Sequence, residues 1–221
     1  MPANGPDTND DAPIAYHHWY FNKLVWRTTK WLGVPTLKSV CDMWNYQEIL
    51  TELRPSLVVE FGTAHGGSAL FFATVMEKLR DNYVVFTVDI DGARIHSEVL
   101  AHEHIEVFIA SSVDDAVRIR LSDLRAAHPG PMFAILDSDH SEAHVLRELE
   151  LLHTVLTKGD YLVVEDTQLN GHPVIPNWGP GPHEAVQRFL SKYPGEFWQD
   201  FRREAKFGFS FAPDAFLVKL H

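Results

Sequence analysis

Acidic and imidazole side chains crowd the end of one apolar stretch, within the segment FAILDSDHSEAHVLREL of residues 133–149. Residues 133–136 have the continuous apolar character of a buried strand, and a helix is predicted from Glu142 onward. Open α/β sheets carry their functional groups where strands end, and a plain turn needs only one or two polar residues. The residues at this junction therefore predict a functional site: Asp137, Asp139, His140 and His144.

A second acidic pair follows the next apolar run. Glu165 and Asp166 end the predicted strand at residues 161–164. If the two strands are parallel neighbours, their carboxyl ends bring Asp137, Glu165 and Asp166 together. Carboxylate oxygens suit Mg²⁺, and a cation would offset the repulsion between like charges. The alternative is that Glu165 and Asp166 cap the next element or face solvent.

The two histidines of the first segment are candidates for a general base. His140 and His144 are four residues apart and therefore share one face of the predicted helix. An imidazole can remove a proton near neutral pH, and a bound metal can lower the pKa of a substrate hydroxyl. Both could also be structural, because the chain has 13 histidines. Asp139 is expected to cap the helix, and His172 in the sequence NGHP could line the substrate pocket.

A glycine-rich loop joins the first predicted strand to a helix in VVEFGTAHGGSALFF, residues 58–72. Gly62 permits a sharp turn, and the later Gly-Gly pair lets a ligand approach the backbone. Ser68 at the start of the helix could hold an anion such as a carboxylate. The spacing differs from the dinucleotide fingerprint G-x-G-x-x-G, and Glu60 suits a cationic amine better than a pyrophosphate.

The next two strands add groups for a nucleoside. Asp89 ends the strand in FTVDID, where an acid can accept both hydroxyls of a ribose. Ser111 or Ser112 in IASSVDD could contact an adenine. Sites for an amine, a carboxylate, a ribose and a purine together describe S-adenosylmethionine.

The elements that position these residues alternate along the chain. Helical spacing separates the apolar runs, which favours a doubly wound, mostly parallel α/β sheet whose last strand is antiparallel. The seven strands are predicted at residues 57–61, 84–88, 107–109, 132–136, 161–164, 197–201 and 216–220.

Composition limits the classes of partner. The 221 residues carry a net charge of −11, which argues against nucleic acid or an anionic membrane as the main partner. No apolar run has the length of a membrane span, and the single cysteine, Cys41, is typical of a reducing interior. We expect a cytoplasmic protein with a loose tail at residues 1–13 and one domain at residues 14–221.

Aromatic residues are concentrated in the segment 16–40, which contains Trp19, Trp26 and Trp31. They could cap the core or form a subunit contact, which makes a homodimer the expected assembly. They could also cover the active site, with Lys38 near its rim as a substrate-binding residue.

Six segments are distinctive: MWNYQEIL, EFGTAHGGSALFFA, FAILDSDHSEAHVL, DYLVVEDTQLNGHPV, GPGPHEAV and KFGFSFAPDAFLV. They resemble the actinobacterial sugar O-methyltransferases, a family that includes mycobacterial rhamnosyl O-methyltransferases and is also labelled by its relative cephalosporin hydroxylase. The resemblance implies a Rossmann-like fold with a seven-stranded sheet, S-adenosylmethionine and Mg²⁺. It assigns the metal to Asp137, Glu165 and Asp166. It assigns the cofactor to Glu60, Gly62, Ser68, Asp89, Ser112 and Asp137.

The base and the acceptor are less constrained by the resemblance. Catechol-type methyltransferases place a lysine three residues after the metal aspartate, where this chain has His140. We favour His144, one turn further along, because a sugar is bulkier than a catechol. Within the family, the resemblance to enzymes of methylmannose polysaccharide synthesis implies the 1-hydroxyl of a 3-O-methylated mannoside as acceptor, with a rhamnoside as the alternative.

Two other enzyme classes compete with this interpretation. The sequence DSD after an apolar strand is also typical of glycosyltransferases that hold Mn²⁺ and a nucleotide sugar, but that leaves the glycine loop and Glu165-Asp166 without a role. An iron oxygenase would need a second histidine to complete a site with His140 and Glu142, and no such histidine is evident from the spacing.

Overall fold

The computed structural model describes residues 11–221. A first helix, α1 (Asp11–Asn22), begins within the segment 1–13 that was predicted as a tail, and residues 1–10 of that segment lie outside the described part. A 3-10 turn at Val25–Thr28 leads into an antiparallel pair, β1 (Lys30–Trp31) and β2 (Val34–Pro35), that the sequence did not predict.

Helices and strands then alternate as the periodicity predicted. In chain order they are α2 (Val40–Leu53), β3 (Leu57–Phe61), α3 (Gly67–Met76), β4 (Val84–Asp89), α4 (Ser97–Leu100), β5 (Ile105–Ile109), α5 (Asp115–Ala127), β6 (Met132–Leu136), α6 (Glu142–His153), β7 (Tyr161–Val164), α7 (Pro182–Lys192), β8 (Phe197–Gln199), α8 (Phe201–Ala205) and β9 (Phe216–Lys219).

The central sheet has seven strands in the order β5-β4-β3-β6-β7-β9-β8. Strands β3 to β7 pair in parallel, whereas β9 runs antiparallel to both β7 and β8. Every residue of β3, β6 and β7 is buried, which explains why these strands read as continuous apolar runs. The predicted mostly parallel sheet with an antiparallel last strand is confirmed.

The strand order reverses between β3 and β6. The chain moves outward from β3 to β4 and β5 and returns to β6 on the other side of β3. This switch point opens a crevice at the carboxyl ends of the strands. The loop after β3 passes so close to β6 that a Cβ on Gly62 would lie 1.9 Å from the carbonyl oxygen of Asp137. Gly62 also has φ +103°, so both the lack of space and the backbone conformation require glycine at this position.

The N-terminal segment packs beside this sheet through aromatic rings. Tyr20 of α1 is buried with Phe209 and Phe211 from the stretch before β9. Trp31 lies edge-on to Phe71 of α3, with ring centroids 4.9 Å apart. Within residues 11–221, no helix combines the length and the apolar character needed to cross a membrane.

Candidate active site

Three side chains converge where β6 and β7 end. One ligand atom each from Asp137, His140 and Asp166 lies within 4.8 Å of the other two. The Nε2 atom of His140 is 2.5 Å from Oδ2 of Asp166 and 3.6 Å from Oδ1 of Asp137. Parallel pairing of β6 with β7 brings these groups together, as the sequence predicted for the two aspartates.

Asp166 and His140 form an ion pair. Burial alone would lower the pKa of His140, but the hydrogen bond and the charge of Asp166, with Asp137, raise it to about 9. Burial likewise would raise the pKa of Asp166, and its contact with His140 outweighs burial and lowers it. The imidazole at this position is therefore stabilised in its protonated form.

Lys38 is the largest departure from the predicted arrangement. It was expected near the rim of a cap, but its side chain is 1% exposed and its Nζ atom lies 2.5 Å from Oδ2 of Asp137 and 3.3 Å from Oε1 of Glu165. Burial would lower the pKa of Lys38, and the surrounding carboxylates of Asp137, Glu165 and Glu60 outweigh burial and raise it. Lys38 is thus an internal cation of the site and has little surface with which to contact a substrate.

Glu165 lies next to this group and is held by other partners. Its Oε1 atom accepts a 2.7 Å hydrogen bond from the hydroxyl of Tyr46 on α2 and also faces Lys38. Burial raises the pKa of Glu165 to about 8, because one ammonium group cannot offset both Glu165 and Asp137. The structure therefore brings His140, rather than Glu165, into the group with the two aspartates.

The chemistry of these donors fits a divalent cation. Two carboxylates and an imidazole converge on one point, and Lys38 shows that positive charge is already accommodated against Asp137. Mg²⁺ prefers oxygen ligands, so the carboxylates would bind it, while a histidine is a ligand more typical of zinc and other transition metals. The site thus has ligands for Mg²⁺ and an adjacent imidazole.

The glycine loop has a buried polar support. Glu60 is fully buried; it accepts a hydrogen bond from the hydroxyl of Ser68 and one of 2.7 Å from the hydroxyl of Thr87. Burial raises the pKa of Glu60 to about 7. In this arrangement Glu60 contacts Ser68 in the first turn of α3, and its predicted contact with an amine stays a prediction.

Asp89 fixes the same loop from the end of β4. Its Oδ2 atom accepts a 2.8 Å hydrogen bond from the backbone N–H of Ala64, and Oδ1 accepts one of 3.0 Å from the N–H of Asp91. The side chain stays at the carboxyl edge of the sheet, the position predicted for a ribose-binding acid. Carboxylate oxygens have further lone pairs, so these contacts leave room for hydroxyl donors.

His144 belongs to a different cluster from His140. Its Nε2 atom is 2.9 Å from the hydroxyl of Ser112 and 3.4 Å from Oε1 of Glu148. Glu148 also accepts hydrogen bonds from the hydroxyls of Ser112 and Ser138. His140 precedes α6, whereas His144 lies in its first turn beside Ser112, which follows β5; the assignment of the base to His144 stays a prediction.

Asp139 shapes the chain before α6. Its Oδ1 atom accepts hydrogen bonds from the backbone N–H (2.8 Å) and the hydroxyl (2.5 Å) of Ser141. Ser141 itself is the N-cap residue, so Asp139 closes the preceding turn rather than capping the helix directly.

The loop from β7 to α7 forms one wall beside His140. His172 is stacked on His183, with ring centroids 3.7 Å apart, and its Nε2 atom lies 3.1 Å from Oε1 of Glu184. Trp178 is 49% exposed and its indole N–H donates a 3.4 Å hydrogen bond to the carbonyl oxygen of His140. His172 is therefore held against α7, and its predicted role in lining the substrate pocket stays a prediction.

Sequence reasoning missed several residues that support this site. Their partners are far away in sequence or separated by a turn, so no local motif marks them. An exposed tryptophan in a Gly/Pro-rich loop was the only available signal. The missed residues are His17, Tyr46, Glu148, Gln168 and Trp178.

Comparisons with known proteins agree with the fold and the resemblance. Residues 23–220 match the family described as Rhamnosyl O-methyltransferase/CmcI. The rhamnosyl O-methyltransferase of Mycobacterium leprae (strain TN) is 51% identical over 211 residues, which are 95% of this chain and 91% of that protein. The protein of the same name from Mycobacterium tuberculosis H37Rv is 47% identical over 96% of this chain and 86% of its own.

Solved structures with this fold include two forms of CmcI. The structure described as cmcI-D160 Mg-SAM has a TM-score of 0.66 and 21% identity, covering 88% of this chain and 78% of that one. The structure described as cmcI-N160 SAH has a TM-score of 0.68 and 20% identity, covering 89% and 84%. The predicted α/β methyltransferase fold and the predicted enzyme class are confirmed. The chain belongs to the rhamnosyl O-methyltransferase/CmcI family of O-methyltransferases.

Proposed function

We propose that this protein transfers a methyl group from S-adenosylmethionine to a hydroxyl of a sugar, with Mg²⁺ held at Asp137 and Asp166. The observation that carries the proposal is the convergence of these aspartates with His140 beside the switch point of the sheet. The relatives' name supports a sugar acceptor. CmcI structures described with Mg and SAM, or with SAH, support both cofactors.

His140 is the base in this proposal. Mg²⁺ at the aspartates would offset the charges of Asp166 and Asp137 that hold the imidazole protonated in the metal-free site, so that His140 would be neutral before the reaction. The acceptor oxygen attacks the methyl carbon of the sulfonium, the carbon–sulfur bond breaks, and the hydroxyl proton passes to the ring nitrogen of His140 that does not face Asp166. Asp166, 2.5 Å from Nε2, then stabilises the imidazolium that forms. Asp137 and Asp166 would hold the Mg²⁺, which would supply positive charge that favours the deprotonated hydroxyl. Positioning two bound reactants provides much of the remaining acceleration.

The cofactor lies in the crevice beside the loop after β3. We propose that Asp89 accepts its ribose hydroxyls and that Ser112 lies near its adenine, with Asp137 at the boundary between cofactor and metal. Gly62 keeps the loop close to β6, and Glu60 and Ser68 hold the first turn of α3, whose free N–H groups suit the carboxylate of the methionine moiety.

The acceptor pocket is bounded by the loop between β7 and α7. Trp178 offers a half-exposed indole beside His140, and His172 lies behind it. Aromatic faces with a few placed polar groups are typical of small-molecule sites. The acceptor proposed is the 1-hydroxyl of a 3-O-methylated mannoside; the relatives named rhamnosyl O-methyltransferase favour a rhamnoside as the second candidate.

A panel of acceptors tests the substrate. The enzyme, S-adenosylmethionine and Mg²⁺ are incubated with 3-O-methylated mannosides, unmethylated mannosides and rhamnosides, and the methylated position is assigned by NMR. Transfer to O1 of the 3-O-methylated mannoside is expected to give the highest kcat/KM. A preference for rhamnosides would replace that acceptor, and absence of transfer to every sugar would contradict the proposal.

Two variants separate the candidate bases. His140→Ala should reduce kcat by about 10²- to 10⁴-fold, as expected for loss of a general base. His144→Ala should act mainly on the KM for S-adenosylmethionine, because His144 contacts Ser112. A larger loss of kcat in His144→Ala than in His140→Ala would assign the base to His144.

The assembly proposed is a cytoplasmic homodimer. Tyr16 and Trp19 of α1 are stacked on each other at 5.6 Å and are half-exposed, which leaves an apolar face for a second copy. Sedimentation of the purified protein should give the mass of two chains. A single-chain mass at micromolar concentration would contradict the dimer.

A further inference from the structure

Two buried side chains connect the N-terminal helix to the candidate metal site. His17 lies on α1, and Gln168 lies two residues after Asp166; they are 4% and 0% exposed. The Nε2 atom of Gln168 donates a 3.0 Å hydrogen bond to Oδ1 of Asp166. The Oε1 atom of Gln168 is hydrogen-bonded to Nε2 of His17. The three residues form one continuous chain of hydrogen bonds.

The direction of this chain is fixed by its end. A carboxylate has only acceptor atoms, so the amide of Gln168 must turn its NH₂ group toward Asp166. Its carbonyl oxygen must then face His17, whose Nε2 atom has to carry a hydrogen and donate it. The hydrogen bond from His17 therefore stabilises the amide orientation that the contact with Asp166 requires.

His17 is itself held by aromatic packing. Its ring lies 4.8 Å from the ring of Phe209 and is stacked on Phe211 with centroids 5.8 Å apart. Both phenylalanines belong to the stretch before β9, next to the site. The donor at His17 is thus in place only when α1 is docked on this stretch.

We propose that His17 and Gln168 are positioning residues that hold Asp166 for metal binding. Asp166 has a positive φ of +57°, so its backbone alone is in a sparsely populated conformation. The amide of Gln168 holds Oδ1, which leaves Oδ2 directed at His140 and the space beside Asp137. This inference rests on the proposed role of Asp166 as a Mg²⁺ ligand, and it couples docking of α1 to assembly of the site.

Calorimetric titration of Mg²⁺ into the full chain, saturated with S-adenosylhomocysteine, tests the proposal. His17→Phe keeps an aromatic ring against Phe209 and Phe211 but removes the donor. We expect it to weaken Mg²⁺ binding by about 10- to 100-fold, the usual effect of losing a partner of a metal ligand, with unchanged affinity for S-adenosylhomocysteine. His17→Gln restores an N–H donor and should recover most of the affinity. His18→Phe, at the neighbouring partly exposed position, is the matched control and should bind Mg²⁺ as the wild type does.

The outcomes separate this inference from the proposed function. Wild-type Mg²⁺ affinity in His17→Phe, or an equal loss in His18→Phe, would overturn the positioning role and leave the metal site standing. Absence of Mg²⁺ binding in the wild type would overturn both. If His17→Phe does not fold, Gln168→Met removes the other half of the chain and should show the same loss of Mg²⁺ affinity; unchanged affinity there would also overturn the proposal.

Discussion

Lys38→Met should destabilise the metal-free protein by about 3 kcal/mol. The ammonium group of Lys38 is 2.5 Å from Asp137, and the two side chains are 1% and 21% exposed. Removing one partner of a buried ion pair costs about 3–5 kcal/mol, because the other charge stays buried and unpaired. Asp137 keeps some contact with solvent, which places the effect at the lower end. For a chain of this size, such a loss lowers the Tm by roughly 6–12 °C.

Chemical denaturation of chelator-treated protein measures this loss, with Lys23→Met at an exposed position as the control. Asp137→Asn should rescue part of the loss in the double variant, because the carboxylate that lay 2.5 Å from the lost ammonium group is then removed as well. A loss below about 1 kcal/mol, the value of a surface ion pair, would refute the role assigned to Lys38. So would additive effects of the two substitutions.

Three further predictions concern the walls of the site and the N-terminal helix. Trp178→Ala should raise the KM for the acceptor but not for S-adenosylmethionine, whereas Trp198→Ala, equally exposed on β8, should change neither steady-state constant. Gly62→Ala should destabilise the protein by more than about 2 kcal/mol in chemical denaturation and weaken S-adenosylhomocysteine binding in calorimetry. Gly159→Ala is the control, because Gly159 also has a positive φ, +90°, but has open space around it, so this variant shows the cost of the backbone conformation alone. Burial lowers the pKa of His17, so the unfolded chain binds a proton that the folded chain does not. As the pH falls below about 6.5, the free energy of unfolding of the wild type should therefore decrease relative to that of His17→Phe. A difference between the two that does not change with pH in urea denaturation would contradict this.

The positions of the central strands along the chain were predictable because β3, β6 and β7 are buried on both faces. β6 and β7 have no charged residue and β3 has only Glu60, and the predicted bounds of the three strands agree with the structure. β1 and β2 have two residues each, which is too short for any periodicity, so they could not be predicted.

The part of the candidate site that lies at the ends of strands could be predicted from the sequence. Asp137 and Asp166 follow neighbouring parallel strands, and their proximity comes from the register of β6 and β7. Lys38 contacts Asp137 across 99 positions of sequence, and no local pattern indicates that contact. His140 and His144 were expected on one helix face, but His140 precedes the N-cap residue Ser141 and only His144 lies in α6, so the two histidines have different neighbours.

Methyl transfer by metal-depleted enzyme tests the central claim most directly. The protein is treated with a chelator, dialysed, and assayed with S-adenosylmethionine and a mannoside or rhamnoside acceptor, before and after Mg²⁺ is restored. The account predicts loss of methyl transfer on depletion and recovery with Mg²⁺ in the wild type, without recovery in Asp166→Asn. Undiminished transfer by the depleted enzyme would contradict the assignment of Asp137 and Asp166 as a magnesium site.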